Sequence, residues 1–169
     1  MKARLVTIGL IVLGTLALVS VAAADRFRGT NGPDTIIGTA GPDVIHARAG
    51  DDTIDGEGGN DRIWAGAGDD RVLGGGGDDV IHGRYGDDTI NGGAGNDVIW
   101  VGRGADKEYG GDGDDILHAL ANDNRVDYVD CGPGNDVAYE NPKEHDVFVG
   151  CEKVILKSPT PQDDTDEDG

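Results

Sequence analysis

The sequence repeats itself every nine residues from Gly29 onward, and this period constrains the fold more than any other feature of the chain. Written in rows of nine, ten consecutive rows place glycine fourth and aspartate sixth. The eighth place is Ile, Val or Leu in every one of these rows except the ninth, where Glu108 stands. Glycine permits the backbone of a tight turn, and side chains alternate along a strand, so the eighth residue points inward. The period therefore predicts short strands that are joined by glycine turns and stacked as a solenoid.

Such a solenoid needs few large apolar residues, and the composition supplies few. The 169 residues include 30 Gly but only two Trp, two Phe and four Tyr, which argues against an ordinary globular core. The formal net charge of −19 disfavours nucleic acids and anionic membranes as partners and favours cations. A disordered acidic chain would carry a similar charge but would lack the nine-residue period.

Two rows carry the repeat without any departure. The segments GGAGNDVIW at 92–100 and GGDGDDILH at 110–118 match the pattern G-G-x-G-x-D-x-U-x at every fixed place. On these motifs the sequence resembles the RTX, or haemolysin-type calcium-binding, family over residues 29–127. The resemblance implies an all-β fold, a right-handed parallel β-roll (a β-solenoid) of about ten rows. It also implies two rows in each turn and calcium ions between successive turns, in a repeat domain at 25–127.

The sixth-place aspartates are the predicted metal ligands. Stacked turns would pile their carboxylates at about 4.8 Å, and such a column repels itself unless cations lie within it. With the two rows in each turn that the resemblance implies, one column comprises Asp34, Asp52, Asp70, Asp88 and Asp106, and the other comprises Asp43, Asp61, Asp79, Asp97 and Asp115.

Several calcium ions are the cofactors that this pattern favours. Calcium takes about six to eight oxygen ligands in flexible geometry and accepts carboxylates together with backbone carbonyls. Magnesium is the second choice because it requires stricter octahedral geometry. Zinc and copper are poor candidates, because the turns contain neither Cys nor His.

A second regularity has twice the period. His and Trp alternate at the ninth place of every second row. With two rows in each turn, they form one column outside one sheet: His46, Trp64, His82, Trp100 and His118. Three interpretations remain open: ring stacking that stabilises the sheet, a binding surface for a cell-surface or polysaccharide partner, and, more weakly, a His metal site. Successive His residues would lie about 10 Å apart, which argues against a shared ion.

The two ends of the chain differ from the repeats. Residues 1–24 have the order of a secretory signal peptide, with two basic residues, an apolar run and three alanines that end at Ala24. Cleavage near Ala24 would give an extracellular protein, whereas an uncleaved leader would act as an N-terminal anchor. The acidic residues 158–169 are predicted to be a disordered tail.

Residues 128–157 keep only traces of the repeat and are predicted to cap the solenoid. Just before this region, Asn124 occupies the place at which row eleven should have its aspartate. Within the region, Asp136 is a possible further ligand. Cys131 and Cys151 are the only cysteines, and an even count in an exported chain predicts one disulfide.

The residues offer no catalytic constellation. Ser20 and Ser158 are the only serines and lie in the leader and the tail, and the zinc-protease motif H-E-x-x-H is absent. Paired aspartates recur in so many rows that they indicate ligands or turn residues rather than acid–base catalysts. The sequence therefore predicts a non-enzymatic, secreted protein that folds on binding calcium. A surface adhesion or carbohydrate-binding module that uses the His/Trp column is the alternative.

Overall fold

The computed structural model describes residues 24–159, which form fifteen β-strands in two parallel sheets. We call them the odd sheet and the even sheet, after the numbers of their strands. The odd sheet comprises β1 (Asp25–Arg28), β3 (Asp43–Ala49), β5 (Arg62–Ala67), β7 (Val80–Tyr85), β9 (Val98–Arg103), β11 (Ile116–Ala119), β13 (Val137–Glu140) and β15 (Lys153–Leu156). The even sheet comprises β2 (Thr35–Thr39), β4 (Thr53–Glu57), β6 (Arg71–Gly76), β8 (Thr89–Ala94), β10 (Lys107–Asp112), β12 (Tyr128–Asp130) and β14 (Val147–Val149).

The chain alternates between the two sheets, and each strand pairs in parallel with the strand two places later. The register through the repeats equals two rows of nine, so that Ile45 pairs with Ile63 and Ile63 with Ile81. This arrangement confirms the predicted parallel β-solenoid. The solenoid has about seven turns, so the predicted count of about ten rows is not confirmed. It fell short because the last strands come from segments in which the nine-residue pattern is degenerate.

The core is a narrow stack of eighth-place side chains between the two sheets. Ile45, Ile54 and Ile63 are at most 1% exposed, and the later rows repeat this burial. The next inward position of the odd sheet holds Ala47, Ala65, Val101 and Ala119, which are all buried in the same cluster. Each fully buried Ile contributes about 1.5–3 kcal/mol relative to an exposed one. Stability therefore accumulates row by row rather than in one central core.

The fourth-place glycines let successive turns lie in direct contact. Gly68 has a φ of +132°, and a Cβ atom there would collide with the carbonyl oxygen of Gly50, one turn earlier. A larger residue would have to push the turns apart and would also meet an unfavourable backbone conformation. This contact explains the fourth-place glycine in eight of the ten rows; Gly32 and Gly41, in the first two rows, have no turn before them to contact.

The predicted cap is built from the same elements as the repeats. Residues 128–157 supply β12–β15, which extend both sheets. The sequence separation between paired strands becomes larger before β12. Lys107 pairs with Thr89, 18 residues earlier, but with Tyr128, 21 residues later. Three inserted residues therefore shift the phase of the repeat within residues 120–127.

The predicted disulfide is confirmed. Cys131 and Cys151 are bonded, with their Cα atoms 5.1 Å apart and a sequence separation of 20. Cys131 directly follows β12 and Cys151 lies just before β15, so the bond joins the last two turns.

The chain ends lie mostly beyond the described residues. The predicted signal peptide falls outside them except for Ala24, and the predicted tail falls outside them beyond Pro159. Residues 24–159 contain no helix that is long and apolar enough to cross a membrane.

Candidate metal centre

The sixth-place aspartates of successive turns are joined by hydrogen bonds. The backbone N–H of Asp70 donates to Oδ1 of Asp88 at 2.8 Å, and that of Asp88 donates to Oδ1 of Asp106 at 2.7 Å. The same bond, at 2.7–2.8 Å, repeats along both predicted columns, from Asp34 in one and from Asp43 in the other. The structure thus places all ten predicted ligands in the two columns that the sequence predicts.

Both columns continue past the predicted ligands. The column of Asp106 continues with Asp127 and Asp146, at 2.9 and 3.0 Å, and the column of Asp115 continues with Asp136 and Glu152, at 2.8 and 2.9 Å. Asp127, not Asn124, holds the aspartate place of its row, because the three inserted residues shift the phase. A search for an acid two residues before an apolar strand residue would have found these positions, since Asp127 precedes Val129 and Glu152 precedes Val154 in this way.

The second carboxylate oxygen, Oδ2, of most column aspartates accepts no hydrogen bond from the described residues. Each aspartate of a column is called a rung below. Within residues 24–159, Oδ2 is buried without a hydrogen-bond partner in Asp52, Asp61, Asp70, Asp79, Asp88, Asp97, Asp106, Asp115, Asp136 and Asp146. The first rungs differ, because the backbone N–H groups of Thr30 and Thr39 donate to Oδ2 of Asp34 and Asp43, at 2.5 and 2.6 Å. A buried polar atom without a partner is costly, so the middle rungs have the strongest need for a further ligand.

Burial controls the protonation of these carboxylates. Desolvation raises the pKa of five of them to about 7, namely Asp61, Asp70, Asp79, Asp97 and Asp106. Desolvation also raises the pKa of Asp88 to about 9, and the negative charge of Asp106 adds to this rise. The N–H bond to each Oδ1 favours the ionised form and opposes the rise. Near neutral pH, protons and cations therefore compete for the same carboxylates.

A second column of polar side chains runs beside the first and is exposed. At the fifth place the hydrogen bonds run in the opposite direction: the N–H of Asp87 donates to Oδ1 of Asp69, one turn earlier, at 2.9 Å. The N–H of Ala105 in turn donates to Oδ1 of Asp87 at 2.9 Å. Each turn is therefore held to the turn before it and to the turn after it. Substitutions of these exposed carboxylates are therefore matched controls for substitutions of the buried ones.

The buried columns fit a hard divalent cation. Their donors are oxygen atoms, which calcium prefers, and ten of these atoms lack another partner among the described residues. No three His, Cys, Asp or Glu side chains of residues 24–159 form a closed group that could hold a metal ion by itself. Backbone carbonyls or water would therefore have to complete the ligand set, which suits calcium and not zinc.

Glu108 is a buried acid that belongs to neither column. It occupies the eighth place in β10, between Ile90 and Val129 of the adjacent strands, and is 0% exposed. Neither carboxylate oxygen accepts a hydrogen bond of good geometry from the described residues. Desolvation, followed by the charges of Asp127 and Asp106, raises its pKa well above the usual value. Glu108 is therefore a destabilising residue in its ionised form.

The alternating His and Trp rings form a continuous stack outside the odd sheet. The ring centroids of His46 and Trp64 are 4.4 Å apart with an angle of 2° between the planes, and the Trp64–His82 step is 5.7 Å. The two steps made by Trp100, to His82 and to His118, are 4.6 and 4.7 Å. All five predicted residues are therefore brought together in one column.

Tyr139 adds a sixth ring that the sequence pattern did not reveal. Its centroid lies 4.8 Å from that of His118, and the ammonium of Lys157 lies 5.6 Å from its ring centre. Tyr139 pairs with His118 in the register, three places later than the repeat would put it, because of the inserted residues. Inside the column, ring faces contact other ring faces, so mainly the ring edges remain for contact with a ligand.

Comparison with protein-family models finds four copies of the RTX calcium-binding nonapeptide repeat, at residues 28–63, 49–81, 73–108 and 109–138. Together these matches cover more than half of the chain and include the aspartate columns from Asp34 to Asp136. A search of curated proteins finds none that matches this chain.

Proposed function

Because the chain belongs to the family of RTX calcium-binding nonapeptide repeats, we propose that it is a secreted protein whose solenoid folds when calcium binds. The family itself establishes a calcium-binding repeat protein. The proposal adds two points, namely export by the leader at 1–24 and the coupling of folding to the ion.

The ten buried Oδ2 atoms without a partner in the described residues carry this proposal. In the folded chain without metal, protonation is the alternative to leaving these oxygens unsatisfied. Because burial raises the pKa of residues such as Asp70 and Asp79 only to about 7, that alternative fails above neutral pH. Stacked carboxylates that are buried and ionised then oppose folding.

Different groups of the chain would make different contributions to the ion site. The N–H of each aspartate fixes Oδ1 of the next turn, which leaves Oδ2 available as a ligand. The turn glycines let backbone carbonyls approach the adjacent turn closely. Bound calcium would supply positive charge and would accept these oxygens as ligands. The aspartates from Asp52 to Asp115 are the proposed ligands, and Asp136 and Asp146 are further candidates.

A calcium titration of residues 25–169 followed by far-UV circular dichroism tests the proposal. We expect a cooperative change from coil to β-structure with calcium, and a much weaker change with magnesium. A β-signal that is already complete in chelator at neutral pH would contradict the coupling of folding to calcium.

A matched pair of variants tests the assignment of ligands. Asp79→Asn removes a buried carboxylate whose Oδ2 lacks a partner among the described residues. Asp78→Asn removes the same charge from the exposed column, where Oδ1 accepts the N–H of Asn96 at 2.9 Å. We expect Asp79→Asn to raise the calcium midpoint by roughly tenfold, a loss of about 1.4 kcal/mol, and Asp78→Asn to change it little. Equal shifts would mean that only net charge matters.

The export part of the proposal has its own test. N-terminal sequencing of the protein recovered from the medium of expressing cells should begin at Asp25. Recovery of the chain with an intact leader in the membrane fraction would identify the leader as an anchor instead.

The alternative function, a binding module that uses the His/Trp column, has weaker support. Sugars and bases bind aromatic side chains through ring faces, and the inner rings of this column already use their faces for one another. We therefore propose a structural role for the column itself.

A further inference from the structure

The outer face of the odd sheet is basic at its N-terminal end, although the whole chain carries a net charge of −19. Side chains alternate between buried and outward along each strand, as the burial pattern of β3 shows. The outward residues of β1, β3 and β5 include four exposed arginines, which we call the arginine patch: Arg26, Arg28, Arg48 and Arg62.

Acidic side chains are absent from this part of the face. The outward positions of β1, β3 and β5 hold no Asp or Glu; Asp25, which is half-buried, and Asp43, which is 1% exposed, share an inward position of the register. The salt bridge between Arg125 and Asp87 uses none of the four arginines. The even sheet is different, because the outward residues of β4 include Asp55 and Glu57. At its N-terminal end the outer face of the odd sheet therefore carries only positive formal charge, whereas the even sheet carries both signs, with Arg71 and Lys107 outward as well.

Arg48 occupies a backbone conformation that favours glycine. Its φ is +89°, and the residue above it in the register, Gly66, also has a positive φ, of +123°. Two turns after Arg48, Arg84 repeats the arrangement with a φ of +84°. Glycine would adopt this conformation without strain, so the arginine side chains persist against a local cost. Glu57, at the same place of another row, also has a positive φ, of +69°, so the conformation belongs to this place of the repeat.

The arginines of one column are spaced at alternate strands of the odd sheet. Arg26 and Arg62 belong to one column and are separated by Val44, so their Cα atoms are about 9.6 Å apart at the usual strand spacing. Arg84 of β7, which is not part of the patch, follows Arg48 at the same spacing, with Gly66 between them. The two columns lie on either side of the aromatic column, in which Arg28 pairs with His46. The patch is thus a flat, regular array of widely spaced cations.

We propose that the arginine patch binds a linear acidic polysaccharide through its carboxylate groups. Guanidinium groups pair with carboxylates in two-point geometry, and a polymer with one carboxylate in every second sugar has the sparse charge that the array fits. A stiff, extended chain also loses less conformational entropy on the flat face than a flexible peptide does.

The same observations argue against a nucleic acid. Phosphates follow one another at about 3.4 Å along each strand of a duplex, far closer than the arginines of one column, and the acidic remainder of the protein would repel so dense a charge. Single strands bind by stacking bases on free aromatic faces, which the His/Trp column lacks inside its stack.

The patch is separate from the metal centre, so the two proposals can fail independently. The patch lies on the outer face of a sheet, whereas the aspartate columns are buried beside the turns. Binding of polysaccharide is therefore measured on the full chain in saturating calcium, after circular dichroism has established that each variant is folded.

Titration calorimetry with a hyaluronan decasaccharide provides the test, since this polymer carries a carboxylate on alternate sugars. A neutral dextran of equal length and a polyglutamate peptide of equal charge are the comparison ligands. We expect binding of hyaluronan that weakens with salt, no binding of dextran and weaker binding of polyglutamate. The absence of hyaluronan binding, or polyglutamate binding of equal strength, would overturn the proposal.

Variants of the patch make the test specific. Arg26→Gln with Arg62→Gln should lower the affinity by about tenfold or more. The control, Arg71→Gln with Lys107→Gln, removes the same charge from the even sheet and should leave the affinity unchanged. Arg48→Gly should weaken binding while it raises the thermal midpoint, because glycine relieves the backbone strain. Equal losses in patch and control variants, or unchanged affinity in Arg48→Gly, would overturn the proposal.

Discussion

The carboxylate of Asp88 lies directly against the α-carbon of Gly83, five residues earlier in the same row. A methyl group on Gly83 would come within 2.5 Å of Oδ2 of Asp88 and would also collide with the carbonyl oxygen of Val101, one turn later. In this row the first-place glycine and the sixth-place aspartate are therefore one steric unit, because the glycine provides the space in which the carboxylate lies. The repeat does not require the glycine in every row, since Ala47, Ala65 and Val101 occupy the first place in three others.

This relationship predicts opposite outcomes for two glycine substitutions. Gly83→Ala should destabilise the calcium-loaded protein by about 1–3 kcal/mol, because the carboxylate and the next turn must move. Gly76→Ala should be neutral or slightly stabilising, because no atom lies within 4 Å of the added methyl group. Chemical denaturation in saturating calcium measures both, and similar losses would contradict the steric argument.

The raised pKa values predict that protonation of the buried aspartates can stabilise the fold in the absence of calcium. Because the pKa of Asp61, Asp70 and Asp79 is raised from 3.8 to about 7, the folded chain binds more protons than the unfolded chain between these values. The stability of the metal-free chain is therefore greatest at low pH and falls as the pH rises through about 7.

Circular dichroism of the metal-free chain at about pH 5 and about pH 8 checks this sign. We expect β-structure at the lower pH, its loss at the higher pH, and little pH dependence over this range in saturating calcium. Lower stability at about pH 5 than at about pH 8 would contradict the direction of these pKa shifts.

The buried acid Glu108 predicts a stabilising substitution. Replacing it with leucine supplies the apolar side chain that the other rows have and removes a carboxylate without a partner among the described residues. Glu108→Leu should raise the free energy of unfolding at neutral pH by about 1–3 kcal/mol. Urea denaturation measures the change, and Glu108→Gln is the control, since it removes the charge but leaves the polar group buried. A destabilised leucine variant would indicate that Glu108 has a partner or a function.

The stacked rings predict a coupling energy that follows distance. A double-mutant cycle between Trp100 and His118, whose centroids are 4.7 Å apart, should give about 0.5–1.5 kcal/mol. The cycle between Trp64 and His82, at 5.7 Å, should give less. Thermal unfolding in saturating calcium measures both cycles. The absence of coupling at both steps would remove the structural role that we assign to the column.

The period of nine predicted a stacked solenoid, and the family resemblance implied the parallel roll with two rows in each turn, from which the register and both aspartate columns follow. Sixth and eighth residues share the inward side of a strand, so Asp79 and Ile81 had to point the same way. The disulfide was predictable because only Cys131 and Cys151 were available.

The later rows escaped prediction because three residues are inserted before Asp127 and the pairing offset then changes again, from 21 to 19 and to 16 residues. Asp127, Asp146 and Tyr139 occupy repeat positions that no fixed nine-residue window reaches. The hydrogen-bond partners of the carboxylates could not be predicted from the sequence either, because they depend on how closely successive turns approach each other. For the same reason, the threonines that satisfy Asp34 and Asp43 could not be distinguished in advance from other turn residues.

The unequal sheets, with eight odd strands and seven even strands in residues 24–159, have a consequence for assembly. Because the strand count is odd, both ends of the described solenoid finish in the same sheet. If two copies stacked end to end, β15 of one copy would pair with β1 of the next, but the even sheet would lack one strand between β14 and the following β2. The backbone groups beside that gap would have no strand to pair with. The odd number of strands in the described solenoid therefore opposes end-to-end fibre growth, because no translation along the axis lets both sheets continue without a gap.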